Sequence, residues 1–297
     1  ANVLTVGAEA VHNRSFLTSG WQTMKPYDAL RETLAPNSNA IWGITSANVY
    51  AGRFLRRPSF FDDMLAAGLT SERNEATLSG FGNKFLDLAG INTIIAAIPL
   101  SQTGTTRLTR NITQGDITLW DNPTALPRAY LATRIVLATT KEEAFAAMSR
   151  DDFIPGQSVV LEKPMPDSFH PKERATGRVR LTQQTETSLT VAVQDNTSDA
   201  MLVLTDTYYP GWQALLDGKS VPISPANIRQ RAVSVPPGNH DVRFFYAPKS
   251  LIWGVIISSL IFMLLFIITV SPLVFSAVHT DPAMSLPFRH RPRNRAS

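Results

Sequence analysis

Between residues 177 and 248 apolar and polar positions alternate with a period of two. "GRVRLTQQ" (177–184) sets Val179 and Leu181 on one side, and "SLTVAVQD" (188–195) does the same with Leu189, Val191 and Val193. That period is the one of a half-buried strand. "DAMLVLTDT" (199–207) is more uniformly apolar and is expected at the centre of a sheet, while "RQRAVSV" (229–235) and "HDVRFFY" (240–246) alternate again. The turns between these runs carry their own chemistry. Asp217-Gly218, between "WQALL" and "KSVPI", is the pair that a two-residue type I′ hairpin demands, because both central positions need positive φ. Pro210-Gly211 and Pro237-Gly238 each suit positions i+1 and i+2 of a type II turn. Short strands at this spacing predict a small all-β sandwich over 177–248.

Residues 1–165 show a mixed pattern. "NVLTVGA", "INTIIAAI" (91–98), "GDITLWDN", "RAYLATRIVLA" and "SVVLE" read as strands. "PYDALRETLA" has Pro26 at a first helical position. "RRPSFFDDMLAAGL" spaces Phe60, Phe61, Met64 and Leu65 as a helix that Gly68 stops. "TTKEEAFAAMSRDDF" is a further helix: Thr140 and Glu143 have capping-box spacing, and Ala144, Phe145 and Met148 form its apolar stripe. The polar, two-proline stretch "PDSFHPKERAT" (166–176) reads as a linker.

"LIWGVIISSLIFMLLFIITVSPLVFSAV" (251–278) carries no charge. About 20 apolar residues cross a bilayer, so a transmembrane helix is expected over 251–272. Trp253 lies at its entry, where an indole suits the membrane–water boundary, and Pro272 is expected to kink or end it. The fold class expected is therefore α+β: a mixed α/β region, then a small β-sandwich and one C-terminal transmembrane helix. The tail 279–297 holds four arginines (Arg289, Arg291, Arg293 and Arg295) against one aspartate, a net +3. The positive-inside rule puts this tail in the cytosol and residues 1–248 outside. "ANVLTVGAEAVHNRSF" has neither a basic n-region nor an apolar h-region, so it is not a signal peptide, and an exporting segment is expected upstream.

The chain is 297 residues long, 44% hydrophobic and 18% charged, with a net charge of +4 that is concentrated in the tail. A nucleic-acid footprint is thereby excluded. With no cysteine there are no disulfides, thiolate metal sites or cysteine nucleophiles. The five histidines lie far apart at 12, 170, 240, 279 and 290, which predicts no metal site. No Gly-rich phosphate loop, G-x-S-x-G or H-E-x-x-H occurs. Asp62-Asp63 and Asp151-Asp152 flank helical segments as solvated or capping residues. No catalytic residue and no cofactor is assigned.

Two stretches remain as candidate binding sites. "TDTYYPGWQALLDGK" (205–219) packs Tyr208, Tyr209 and Trp212 around the Pro210-Gly211 turn. Either these rings stack on a sugar or head group, with Asp206 or Asp217 accepting hydroxyl hydrogens, or they pack on each other at a sandwich edge. Asp217, with Gly218, is already explained by the hairpin. In "WDNPTALPRAYL" (120–131) a strand ends at Asp121-Asn122 and Arg128 begins the next. Arg128 either clamps a phosphate or carboxylate or pairs with a neighbouring carboxylate such as Asp121; Asn122 belongs to the same loop.

"DNPTALPRAYL", "VLTDTYYPGWQALLDGKSVPI" and "AVSVPPGNHDVRFFYAPKS" before a last helix resemble the C-terminal part of the YfhO-like bacterial membrane proteins, and "LDLAGINTIIA" (86–96) resembles the segment ahead of the Pro-Arg loop there. The resemblance spans most of residues 40–260 and is most specific in the last hundred of these. That family is similar to GT-C membrane glycosyltransferases, which use polyprenyl-phosphate-linked sugars on the outer membrane face. The resemblance implies a bacterial cytoplasmic-membrane protein whose bulk is extracytoplasmic. Its partners are the lipid bilayer and a polyprenyl-phosphate sugar or envelope glycan, and its expected role is to support sugar transfer to a cell-envelope acceptor. The catalytic acid of such enzymes is expected in an early loop of a multi-helix half that this chain does not include, so no catalytic residue carries over. The alternative is a non-enzymatic, membrane-anchored envelope module that binds glycan or protein.

Overall fold

The computed structural model describes residues 2–20, 23–25, 28, 45–46, 67–72, 75–104, 107–172 and 176–279. Helices read over 26–35 and 56–67 fall almost wholly outside these residues, as does the tail 280–297; 67 and 68 are helical. The elements run β1 (Asn2–Val6), α1 (Ala8–Ser19), β2 (Thr45–Ser46), β3 (Leu69–Glu72), β4 (Glu75–Leu78), α2 (Gly80–Leu88), β5 (Ile91–Ala96), β6 (Leu100–Gln102), β7 (Thr109–Gln114) and β8 (Ile117–Asp121). They continue with β9 (Ala129–Ala132), β10 (Arg134–Leu137), α3 (Lys141–Ser149), β11 (Ser158–Leu161), β12 (Arg178–Gln184), β13 (Ser188–Asn196) and β14 (Ala200–Thr207). The last are β15 (Trp212–Leu216), β16 (Lys219–Val221), β17 (Ser224–Ala226), β18 (Gln230–Val235), β19 (Gly238–Tyr246) and α4 (Lys249–His279). The class is mixed α/β, as the sequence predicts.

The chain divides into a unit of residues 1–246 and one of residues 247–297. In the first, a sheet of order β2-β1-β5-β8-β7 packs with α2 and α3. Phe85, Leu86 and Leu88 are buried on α2; Phe85 stacks on Phe145 of α3, and Phe81 of α2 meets both rings edge-on. Ser79 caps α2, its Oγ accepting from the Gly82 N–H at 3.1 Å. Thr140 and Glu143 form the reciprocal capping box of α3 that their spacing predicts.

The sandwich is built of two sheets, β12-β13-β19-β15-β16 and β10-β11-β17-β18-β14-β9. Alternation does what the pattern requires: Leu189, Val191 and Val193 of β13 and Val242 and Phe244 of β19 meet Leu202, Leu204, Val233 and Val235 of the facing sheet in one core. β14 lies between β18 and β9, and its residues Ala200–Leu204 are buried. Its other face, with Met201 and Val203, joins Tyr130, Val159 and Leu161 in a second core. Three strands of this sheet precede the polar stretch at 166–176, so the sandwich recruits residues from both sides of it. The segment read as one strand from 128 to 138 breaks at Thr133. Its halves β9 and β10 form opposite edges of the same sheet, which therefore curls until the edges meet at one residue. Asp217 and Gly218 have φ of 50° and 80°, as a type I′ turn demands.

In the second unit α4 runs for 31 residues. Lys249–Ser271 has a mean hydropathy of 2.8 over its most apolar window and is long and apolar enough to cross a membrane. Its 23 residues rise about 34 Å, enough for the hydrocarbon core. Pro272 does not end the helix, which continues to His279. One turn before Pro272, Thr269 Oγ1 donates to the carbonyls of Leu265 and Phe266 at 2.9 and 3.0 Å.

Candidate functional site

Four strands of the sandwich bring one cluster together. Trp212 starts β15 and lies directly opposite Tyr246, the last residue of β19; the register continues Ala214 to Phe244 and Leu216 to Val242. Trp212 and Tyr246 are therefore on the core side of their sheet, at its end. The rings lie 5.6 Å apart, and Tyr209 adds a third ring 6.2 Å from Tyr246. Tyr209 is 42% exposed. The turn that places it is the expected one: Gly211 has φ 103°, and the Trp212 N–H reaches the Tyr209 carbonyl at 3.5 Å. Tyr208 is half-buried, and its N–H donates to the carbonyl of Arg229.

The facing sheet supplies charge. Arg128, in the loop immediately before β9, donates from Nε and Nη2 to the two carboxylate oxygens of Asp206 on β14, both at 2.9 Å. Arg231 on β18 donates from Nη2 to Asp206 Oδ2 at 2.7 Å. The Arg231 guanidinium then lies 3.7 Å over the Trp212 ring. Its Nε and Nη1 are buried with no hydrogen-bond acceptor. The electron-rich face of the indole is what stabilises that end of the cation. Burial works to raise the pKa of Asp206, but its bonds to Arg128 and the charges of both arginines outweigh burial and hold it below the ordinary aspartate value. Arg128 is stabilised as a cation first by its bonds to Asp206.

Of the residues read as candidates, Tyr209 and Trp212 join this cluster with Tyr208 beside them. Arg128 belongs to it too, but its fork is spent on Asp206, 78 residues away, not on Asp121. Asp121 instead accepts from Asn111 at 2.7 Å. Asn122 lies elsewhere. It is buried, and its amide donates to Asp87 Oδ1 at 2.8 Å and to the Ile91 carbonyl at 2.9 Å. Asp87, its carboxyl pushed up by burial against bonds from Asn122, Thr124 and Asn83, anchors the end of α2 to the loop after β8. Tyr246 and Arg231 were not singled out by sequence. Tyr246 shares the parity of Val242 and Phe244, which is the signal that places it on the core face.

Asp217 does more than close its hairpin. Its Oδ1 accepts from the Asp241 N–H at 2.9 Å, and its Oδ2 lies 2.7 Å from His240 Nδ1. His240 Nε2 faces the Pro237 carbonyl at 3.2 Å. Both ring nitrogens thus point at acceptors. Partial burial opposes the charge on His240, but Asp217 and the Pro237 carbonyl outweigh it and raise the pKa. Among the described residues no group of His, Asp and Glu side chains is arranged to hold a metal ion.

Residues 171–258 match the family model described as the bacterial membrane protein YfhO. The match takes in β12 to β19, hence the Trp212 cluster apart from Arg128, and the first turns of α4. No curated protein and no solved structure matches the chain.

Proposed function

We propose that the β-rich unit is an extracytoplasmic recognition module of a YfhO-like membrane protein, supporting transfer of sugars from polyprenyl-phosphate donors to a cell-envelope acceptor. The observation that carries the reading is the aromatic cluster at the end of the sandwich. A 42% exposed tyrosine packs on Tyr246, Tyr246 packs on Trp212, and the Trp212 ring is covered by the buried guanidinium of Arg231. Aromatic rings with a polar tip suit both sugar faces and a membrane boundary. Only Ala247 and Pro248 separate Tyr246 from α4. The arginine-rich tail favours its placement in the cytosol and the β-rich unit outside. This module recognises and presents; no residue of the cluster is assigned a catalytic step.

The test is binding by the full chain in lipid nanodiscs. Undecaprenyl phosphate bearing glucose, galactose or N-acetylglucosamine is compared with undecaprenyl phosphate alone. At least one sugar-bearing lipid is expected to bind about tenfold tighter than the bare phosphate. Equal binding of all four lipids sinks the sugar-recognition reading and leaves the envelope-module alternative.

A further inference from the structure

We infer that Tyr209 and Tyr246 are the rings that meet the sugar, while Arg128, Asp206 and Arg231 are positioning residues that fix Trp212 as the wall behind them. The inference rests on the recognition reading above and assigns its contacts. The argument begins with Trp212, the ring that looks most like a platform in the sequence. A guanidinium carbon 3.7 Å from its centroid is at stacking distance, so no sugar enters on that face. Tyr246 packs beside it at 5.6 Å with the planes tilted by 52°. Tyr209 stands at the outer end of the row, 42% exposed and 6.2 Å from Tyr246. Each tyrosine offers a ring face for the C–H side of a hexose and a hydroxyl for its polar rim.

The positioning follows from a chain of fixed geometries. Arg128 grips both oxygens of Asp206, which fixes the carboxylate plane. The carboxylate directs one nitrogen of Arg231, and the remaining buried nitrogens find no acceptor. Two guanidiniums on one carboxylate leave a surplus positive charge, and the Trp212 face is the partner the structure provides for it. A planar cation that must satisfy Asp206 at one edge and the indole on its face admits few orientations. Trp212 is thereby held, and Tyr246, its direct cross-strand neighbour, with it.

The full chain, labelled with 5-fluorotryptophan and held in nanodiscs, tests both parts. It has five tryptophans, and Trp212→Phe identifies the resonance of Trp212. Asp206→Asn is expected to shift that resonance while leaving the others in place, and to weaken binding of the tightest sugar-bearing lipid of the panel above. Arg231→Lys keeps the charge but is expected not to restore either property, because an ammonium cannot lie flat on the ring while bonding Asp206. Tyr209→Ala and Tyr246→Ala are each expected to lower sugar-lipid affinity about tenfold without changing affinity for undecaprenyl phosphate; Tyr246→Phe keeps the ring and loses the hydroxyl, and its affinity is expected to fall between that of Tyr246→Ala and wild type. Wild-type affinity in both alanine variants overturns the contact assignment while the recognition reading stands. An unmoved Trp212 resonance in Asp206→Asn, or full rescue by Arg231→Lys, overturns the positioning. If the wild-type chain shows no preference for sugar, the recognition reading falls and the contact assignment with it, while the fluorine spectrum still decides the positioning.

Discussion

Replacing Asp206 by alanine removes the one carboxylate that two guanidiniums share. The Arg231 side chain is 3% exposed and the Arg128 side chain 35%, so the two losses differ. Deleting one partner of a buried pair costs about 3–5 kcal/mol, because the other charge stays buried without compensation. Arg231 is in that position. Arg128 can turn to water, and its share is that of a surface pair, at most about 1 kcal/mol. Asp206 itself is 21% exposed, which draws the total to the lower end, about 3 kcal/mol. For a folded unit of this size that lowers Tm by about 6–12 °C. Thermal unfolding of the full chain in nanodiscs at pH 7, followed by tryptophan fluorescence, measures it. The double variant Asp206→Ala/Arg231→Met is expected to regain more than half of the loss, since no lone cation is left buried. The Asp206 pKa lies below its unfolded value of about 3.9, so the stability it lends is present above that pH and lost as pH falls through the folded value. The gap between wild type and variant therefore narrows in acid. A loss under about 1 kcal/mol at pH 7 would refute the reasoning, since that is the range of an exposed pair.

Three further outcomes are expected. His240 should titrate above its usual value of about 6.5; the stability from its clasp with Asp217 is then complete below that pH and lost as pH rises through the folded pKa, and Asp217→Asn should abolish the effect in an NMR titration. Gly218→Val should destabilise by at least ~1–2 kcal/mol through its φ of 80°; no atom lies within 4 Å of an added Cβ there, so strain and not a clash is the cause, and denaturant unfolding reads it. Because the chain has no cysteine, Ser220→Cys and Ser297→Cys report topology cleanly: an impermeant maleimide on intact cells should label position 220 and not 297, and the reverse would invert the orientation.

What the sequence discloses and what it hides divides along physical lines. Local rules were legible. The capping box at Thr140 and Glu143, the Asp217-Gly218 turn and the alternation in β13 and β19 each depend on residues a few positions apart. The uncharged run after 250 declared itself by length alone. Partners chosen across the fold were not legible. Nothing near Arg128 in sequence points to Asp206, and the nearer Asp121 was the natural expectation. Asn122 looked like an accessible loop residue because the need it meets, the buried carboxylate of Asp87, arises only when α2 docks on the loop. The break at Thr133 is equally non-local, since only the curl of the sheet sends β9 and β10 to different neighbours. Pro272 carried a reliable breaker signal for water-soluble helices, but an apolar helix of 31 residues passes through it.

The central claim, that Tyr209 and Tyr246 form a sugar-recognition face on the sandwich, is tested most directly by photo-crosslinking. An undecaprenyl-phosphate hexose carrying a diazirine on the sugar is incubated with the full chain in nanodiscs, irradiated and mapped by peptide mass spectrometry. The expected adducts fall in the peptides that contain Tyr209 and Tyr246, and excess unmodified sugar-lipid suppresses them. Adducts confined to the 109–121 hairpin or to α4, or labelling that the competitor leaves unchanged, would contradict the account.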